Sequence, residues 1–219
     1  LYLGAEAEVW RGTWMGQAAV RKQRRLRSWR HPDLDDRLGR RRMLAEARLM
    51  VRLYKSGLNI PVLYDCDIKE QQLVMSNVPG KPLIELLNDD SIDDVTMMKH
   101  LRSAGYSIRM LHRQAIVHGD LSTNNIMITP SGEAVLIDFG LAKIEFETEL
   151  YGIDLHVLFE ILGASHPHRE GAMEAVLQGY KQCEQDLGTA AKTPGGDPVS
   201  MEDVIERFDL IRTRVRYHG

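Results

Sequence analysis

At 219 residues, with 43% hydrophobic and 27% charged residues, the chain has a globular composition and can bury one generous core or two small lobes. No apolar run approaches the ~20 residues that would cross a bilayer. No signal peptide is read at a start, Leu1, that lacks Met, and the distant Cys66 and Cys183 match no metal spacing and suit a reducing compartment, cytosol or nucleus. The net charge of −3 hides an asymmetry, because 14 Lys and Arg stand against 4 Asp and Glu between Arg11 and Lys55. Such a lobe suits an anionic partner, RNA or an acidic protein surface; a solvated arginine-rich helix face would show the same count.

Short strands are predicted at Leu1–Gly4, Glu8–Trp14 and Ala18–Lys22, the last two joined by a turn at Met15-Gly16-Gln17. Between the first two stand Gly4, Ala5, Glu6 and Ala7. Small residues let the backbone approach phosphates and meet their charge with N–H groups, although a plain hairpin would use them equally well. Ala19-Val20-Arg21-Lys22 has the form of a strand that ends in a phosphate-binding lysine. The helix that follows is opened by His31-Pro32-Asp33, carries an apolar stripe of Leu44, Ala47, Val51 and Tyr54, and ends at Gly57. Glu46 lies beside that stripe, where the αC glutamate of a kinase would pair with Lys22.

Pro61–Asp67 and Gln72–Val78 read as two further strands. Val78-Pro79-Gly80 then links an N-terminal unit, residues 1–78, to a C-terminal unit, residues 79–219. Met75 would sit beside a bound adenine whose edge meets the backbone of Ser76–Val78; core filling is the plainer role for a methionine there. Helices are predicted at Pro82–Asn88 and Ser91–His112, the second with Val95, Met98, Leu101, Ile108 and Leu111 on one face.

Ile116–Gly140 carries the chemistry. The turn Thr129-Pro130-Ser131-Gly132, between the apolar runs Ile126–Ile128 and Ala134–Ile137, predicts a hairpin. Asp120 and Asn125 then stand at one mouth and Asp138 at the other. In kinase-type phosphoryl transfer an Asp orients the accepting hydroxyl, an Asn five positions on helps to hold Mg²⁺, and the Asp of a DFG tripeptide bridges Mg²⁺ to the phosphates. Asp120, Asn125 and Asp138-Phe139-Gly140 follow that order and spacing. Beyond them, helices are predicted at Asp154–Gly163, Glu170–Leu187 and from Ser200 into the basic Arg212–Arg216, with a Gly- and Pro-rich loop at Gly188–Val199. His166-Pro167-His168 reads as a surface turn.

The chain resembles the small atypical kinase/ATPase family of the KEOPS/EKC complex, the PRPK family. The resemblance rests on GAEA at Gly4–Ala7, VRK ending at Lys22, WRHPDLD at Trp29–Asp35 and RRRMLAEAR at Arg40–Arg48. It continues through VHGDLSTNNIMI at Val117–Ile128, LIDFGLA at Leu136–Ala142, IDLHVL at Ile153–Leu158 and ASHP at Ala164–Pro167. It implies an α+β fold, a minimal two-lobed kinase-like architecture with an antiparallel N-lobe sheet, one αC-type helix and a reduced, mostly helical C-lobe. It also implies ATP and Mg²⁺ as cofactors, and as partners a threonylcarbamoyl-transferase subunit and other KEOPS subunits, in the service of tRNA modification.

Carried over by position, Asp120 would be the base, and Asn125 and Asp138 would hold the metal. Lys22 would meet the phosphates with Glu46 as its partner, Gly4–Ala7 would cover the nucleotide, and Met75 and Val78 would line the adenine. The chain departs from the family at Glu149-Leu150, where Glu-Asp is usual, and at RTRVRY, Arg212–Tyr217, which replaces a more regular basic tail. Antibiotic and choline kinases share HGDxxxxN, so a small-molecule phosphotransferase is the alternative enzymatic reading. An ATP-binding scaffold in an RNA-processing assembly is the non-enzymatic one. The basic residues Arg24, Arg25, Arg27 and Arg30 are candidates for tRNA contact.

Overall fold

The computed structural model describes residues 2–3, 7–25, 29, 31–193 and 195–215. Gly4, Ala5 and Glu6, the basic positions Arg27 and Arg30, and the end of the chain from Arg216 lie outside them. The chain divides into two compact units, Leu1–Val78 and Pro79–Gly219.

The first unit is an antiparallel sheet with one long helix. Its strands are β1 (Tyr2–Leu3), β2 (Ala7–Trp14), β3 (Gln17–Arg24), β4 (Leu63–Asp67) and β5 (Gln72–Ser76), in the order β1-β2-β3-β5-β4. Met15 and Gly16 form the two-residue turn between β2 and β3, both with positive φ. That is the turn whose twist matches a right-twisted hairpin, and it sets Trp14 opposite Gln17.

Helix α1 (Pro32–Lys55) begins with Pro at its first position and Asp33 and Asp35 in its first turn, where a fixed φ and negative charge both suit a helix start. It ends in a Schellman closure, with Leu58 N–H donating to Leu53 O and Gly57 N–H to Tyr54 O. The buried face is not the expected stripe. Met43, Glu46, Ala47, Met50 and Leu53 point inward, whereas Val51 and Tyr54 are exposed. Two methionines fill the inward rows, so ranking residues by apolar type alone rotates the helix by one position.

The second unit contains α2 (Leu83–Leu87), α3 (Asp94–His112), α4 (Thr148–Ser165), α5 (Ala172–Leu187) and α6 (Met201–Val215). Its short strands are β6 (Lys81–Pro82), β7 (Ile116–Val117), β8 (Ile126–Ile128), β9 (Ala134–Leu136) and β10 (Lys143–Ile144). They form a three-stranded sheet, β6-β8-β9, and a two-stranded one, β10-β7. Asp93 caps α3 by accepting Thr96 N–H.

Met97, Leu101, Ala104, Ile108 and Leu111 of α3 are buried, while Val95, assigned inward from the sequence, is exposed. The reason is the crossing with α5. A Cβ on Gly105 would stand 1.8 Å from Val176 O, and one on Gly179 would stand 1.8 Å from Arg102 O. The two backbones therefore touch, and that contact fixes which face of α3 is inside. Helix α4 begins at Thr148, six residues before its predicted start. Among the described residues, no helix is long and apolar enough to cross a membrane.

Candidate functional site

In the first unit Lys22 sits on β3 opposite Val9 of β2 and Leu73 of β5. Its Nζ lies 2.6 Å from Glu46 Oε1, with 12% and 3% of the two side chains exposed. A pair this dry is stable only when geometry and further hydrogen bonds offset desolvation. The α1 rotation described above is what brings the Glu46 carboxylate under the sheet.

Val20 and Lys22 alternate on one face of β3, and Met75 lies opposite Val20. Met75 is buried, so it fills core whatever else it does. The next backbone is partly committed, since Ser76 N–H donates to Val62 O and Asn77 N–H to Ala18 O. Of the backbone N–H groups in Ser76–Val78, the segment expected to meet an adenine edge, Val78 N–H is the one those bonds leave. Ala7 opens β2, buried, opposite Arg24.

In the second unit the hairpin β8–β9 gathers the acidic groups. Ile126 pairs with Leu136, and one step further out Ile137 N–H donates to Asn125 O at 2.9 Å. The residue before Asp138 is thus tied to Asn125 across the mouth of the hairpin. Asn125 Nδ2 also donates to Asp120, 2.8 Å to its backbone O and 3.0 Å to Oδ2. Using its nitrogen this way leaves Asn125 Oδ1 as the amide's outward oxygen.

Asp138 is exposed and has φ +61, a strained value for a residue with a Cβ. Its Oδ1 accepts Gly140 N–H at 3.2 Å, which holds the side chain in that turn. Among the described residues no three His, Cys, Asp or Glu cluster as a metal cage. Asn125 and Asp138 instead offer two hard oxygen donors, a set that could hold a divalent cation whose remaining ligands come from phosphates.

What holds Asp120 in place was not assigned a role from the sequence. Asp154, buried on α4, accepts Gly119 N–H through Oδ1 at 2.9 Å and His118 N–H through Oδ2 at 2.5 Å. These are the two residues that precede Asp120. His112 Nε2 approaches the same carboxylate at 3.4 Å, and its Nδ1 lies 2.8 Å from the Tyr180 hydroxyl. A carboxylate only accepts, so Nε2 carries the proton and Nδ1 accepts from Tyr180.

Beyond Tyr180 the buried Arg109 reaches Glu184 at 2.8 Å and Val199 O at 3.2 Å. Burial pushes the His112 pKa down, which keeps the ring neutral. Burial alone would push the Asp154 carboxyl up, but hydrogen bonds from His112 and the loop leave it below the ordinary range. The only trace of this network in the sequence is one acidic residue inside the apolar run Ile153–Leu158.

Gly119 has φ +77, and a Cβ there would lie 2.6 Å from Leu141 O. The loop backbone therefore passes too close to the segment after Asp138 for any side chain at this position. That segment is short. Only Leu141–Glu147 separate Gly140 from α4, β10 pairs back onto β7, and Tyr151 Oη closes the end on Glu145 O. None of those seven residues is Ser, Thr or Tyr.

Residues 16–146 match the model of the RIO domain. The chain is 34% identical to the EKC/KEOPS complex subunit Tp53rkb of Mus musculus, over 97% of this chain and 84% of that one. It is 37% identical to the KEOPS complex subunit Bud32 of Pyrococcus abyssi, over 73% and 71%. It is also 36% identical to a probable bifunctional tRNA threonylcarbamoyladenosine biosynthesis protein of Methanothermobacter thermautotrophicus, covering 81% of this chain but 32% of that longer one. The α+β architecture, the kinase-like residues and these matches agree: the chain belongs to the RIO-domain family and to the family of EKC/KEOPS complex subunits typified by Bud32 and Tp53rkb.

Proposed function

We propose that this chain is the ATP-dependent serine/threonine kinase or ATPase subunit of a KEOPS complex, supporting threonylcarbamoyl-adenosine modification of tRNA. The observation that carries the reading is the tie of Asn125 both to Asp120 and, through Ile137 N–H, to the backbone beside Asp138. Scattered over 19 positions, these three groups are held together at one end of a hairpin. The names of the relatives, which place them in KEOPS and in tRNA threonylcarbamoyladenosine biosynthesis, support the choice of pathway.

In this reading residues 1–78 bind nucleotide and residues 79–219 carry the chemistry. Asp120 orients the attacking hydroxyl or water and receives its proton. Lys22, held by Glu46, neutralises phosphate charge, and Gly4–Ala7 cover the nucleotide. Asn125 and Asp138 would hold Mg²⁺, which when bound supplies further charge neutralisation at the phosphates. Almost all the catalysis is positioning and electrostatics, which is why the backbone grip of Asp154 belongs to it. With Gly119 in place of a loop arginine and no hydroxyl in Leu141–Glu147, activation-loop phosphorylation has neither reader nor acceptor. Control then falls to the partner subunits, in the cytosol or the nucleus.

The test is Mg²⁺-dependent ATP turnover by the chain, alone and with its threonylcarbamoyl-transferase partner, beside Asp138→Ala. Turnover that needs both Asp138 and the partner supports an ATPase working inside the tRNA-modifying complex. Turnover indifferent to the partner points to a free-standing kinase. Normal tRNA modification by Asp138→Ala would overturn the enzymatic reading in favour of a scaffold.

A further inference from the structure

The sheet of the first unit has a second face, turned away from Lys22. Because side chains alternate along a strand, β2 divides into Val9, Arg11 and Thr13 on the Lys22 side and Glu8, Trp10, Gly12 and Trp14 on the other. The register carries that other face across the sheet. Trp10 lies opposite Arg21 and Arg21 opposite Val74, Gly12 opposite Ala19, Trp14 opposite Gln17, and Glu8 opposite Gln23, which faces Gln72. The Tyr64 hydroxyl donates to Gln17 Oε1 at 3.0 Å, which brings a third aromatic ring onto this side. The Arg21 guanidinium stands over the Trp14 ring, 5.9 Å from its centre. A cavity of about 460 Å³ opens here, lined by Trp10, Gly12, Arg21, Gln23 and Gln72 among others. No atom lies within 4 Å of where a Gly12 side chain would begin, so the floor is open.

We propose that this face is a stacking platform for single-stranded RNA. This deepens the reading of the chain as a component of tRNA modification and rests on it. Indole faces stack bases of any sequence, and an arginine laid on one of them can both stack and meet phosphate. The Gln23 and Gln72 amides carry donors and acceptors suited to base edges, one Gln23 N–H being taken by Glu70 O at 3.2 Å. Unpaired bases laid on aromatic residues of a sheet are the usual way in which sheets read RNA.

The charges fit. Arg21 is exposed, and the unit around it is the basic part of the chain. Of the acidic groups on this face, Glu8 is 3.7 Å from Arg25. Asp67 is turned into its own loop by Lys69 and Glu70 N–H groups, and Asp65 stands out on the edge strand β4. A cavity of this size falls within the range of small-ligand sites, and it is built from groups that suit a base rather than an apolar peptide.

All three tryptophans, Trp10, Trp14 and Trp29, belong to this unit, so intrinsic fluorescence reports on it directly. The full chain is titrated with the octanucleotide rU8 and with a duplex RNA of the same length. Quenching by rU8 and stronger binding of rU8 than of the duplex are expected. By anisotropy of labelled rU8, Trp10→Ala and Arg21→Ala should weaken binding about fivefold or more, while Trp10→Phe, which keeps a ring, stays within about twofold.

No quenching, equal affinity for the duplex, or unchanged binding by Trp10→Ala would each overturn the proposal. If Trp10→Ala instead loses a KEOPS subunit and keeps rU8, the face is a protein interface and the proposal falls. ATP turnover by Trp10→Ala should match the unsubstituted chain, which shows the variant is folded. Failure of the phosphotransfer reading would appear separately, as turnover that ignores Asp138→Ala.

Discussion

Asp154 Oδ1 accepts the backbone N–H of Gly119 at 2.9 Å. A side chain on α4 therefore fixes the peptide immediately before Asp120, and it does so with a buried charge. A carboxylate presents acceptors to both loop N–H groups, whereas an amide must turn a donor toward one of them. Asp154→Asn should cost about 1–3 kcal/mol of stability, as leaving a buried N–H without an acceptor does. ATP turnover should fall at least about tenfold, the equivalent of ~1.4 kcal/mol of barrier, with little change in ATP binding. Thermal unfolding and kcat measured beside KM for ATP check this; a fall confined to KM would show that the loop does not depend on Asp154.

Lys22 and Glu46 make the second prediction. The pair is nearly dry, and each partner keeps the other oriented. Lys22→Met and Glu46→Gln should each lower turnover by about 10²–10³, the range seen when one electrostatic contact to the reacting groups is removed. The double variant should be no worse than the weaker single, since the two act as one unit. Additive losses in that cycle would mean that the lysine works without the glutamate.

Much of this was legible from local chemistry. The hairpin around Thr129–Gly132 and the start of α1 at Pro32 follow from turn residues and helix-start residues that act within a few positions, whereas the Lys22–Glu46 pair was legible only through the likeness of its strand and helix to kinase motifs. The inward faces of α1 and α3 were harder to read. Met43 and Met50 look like any apolar residue until the partner surface is known, and the α3 face is set by Gly105 and Gly179 meeting backbones 70 or more positions away. The support of Asp120 was hidden for the same reason, because Asp154, His112 and Tyr180 come from three different helices and meet only in the folded core. The grouping of Asp120 with Asn125 was visible in their spacing, while its dependence on Asp154 was not.

Gly119 yields a prediction opposite to the simple motif argument. By that argument, restoring the arginine usual in HRD loops improves a kinase. Here φ is +77, and a Cβ would come to 2.6 Å from Leu141 O. The obstacle is backbone, so it cannot swing aside as a flexible side chain would. Gly119→Arg and Gly119→Ala should both destabilise the second unit, by about 1–3 kcal/mol for the strained backbone alone, and both should lower turnover. Thermal unfolding of the two variants checks it. If Gly119→Ala kept the original stability while only Gly119→Arg lost it, side-chain bulk rather than the backbone would be the constraint.

Protonation of His112 sets the last expectation. Burial depresses its pKa below the ordinary 6.5, and Asp154 and Tyr180 hold the neutral ring on its two nitrogens. The unfolded chain therefore binds this proton more readily than the folded one, so stability rises with pH across the window between the lowered folded value and 6.5. Above 6.5 the contribution is complete; below it stability is lost, by at most ~1.4 kcal/mol per pH unit for one group. His166, buried and depressed in the same direction, adds to the same slope. Unfolding measured from pH 7.5 to 5 should show His112→Gln less stable than the unsubstituted chain at pH 7.5 but with a shallower loss on acidification. Gln can still donate to Asp154 and accept from Tyr180, so it should keep more turnover than His112→Leu. An unaltered slope in His112→Gln would mean that the ring does not carry the proton uptake.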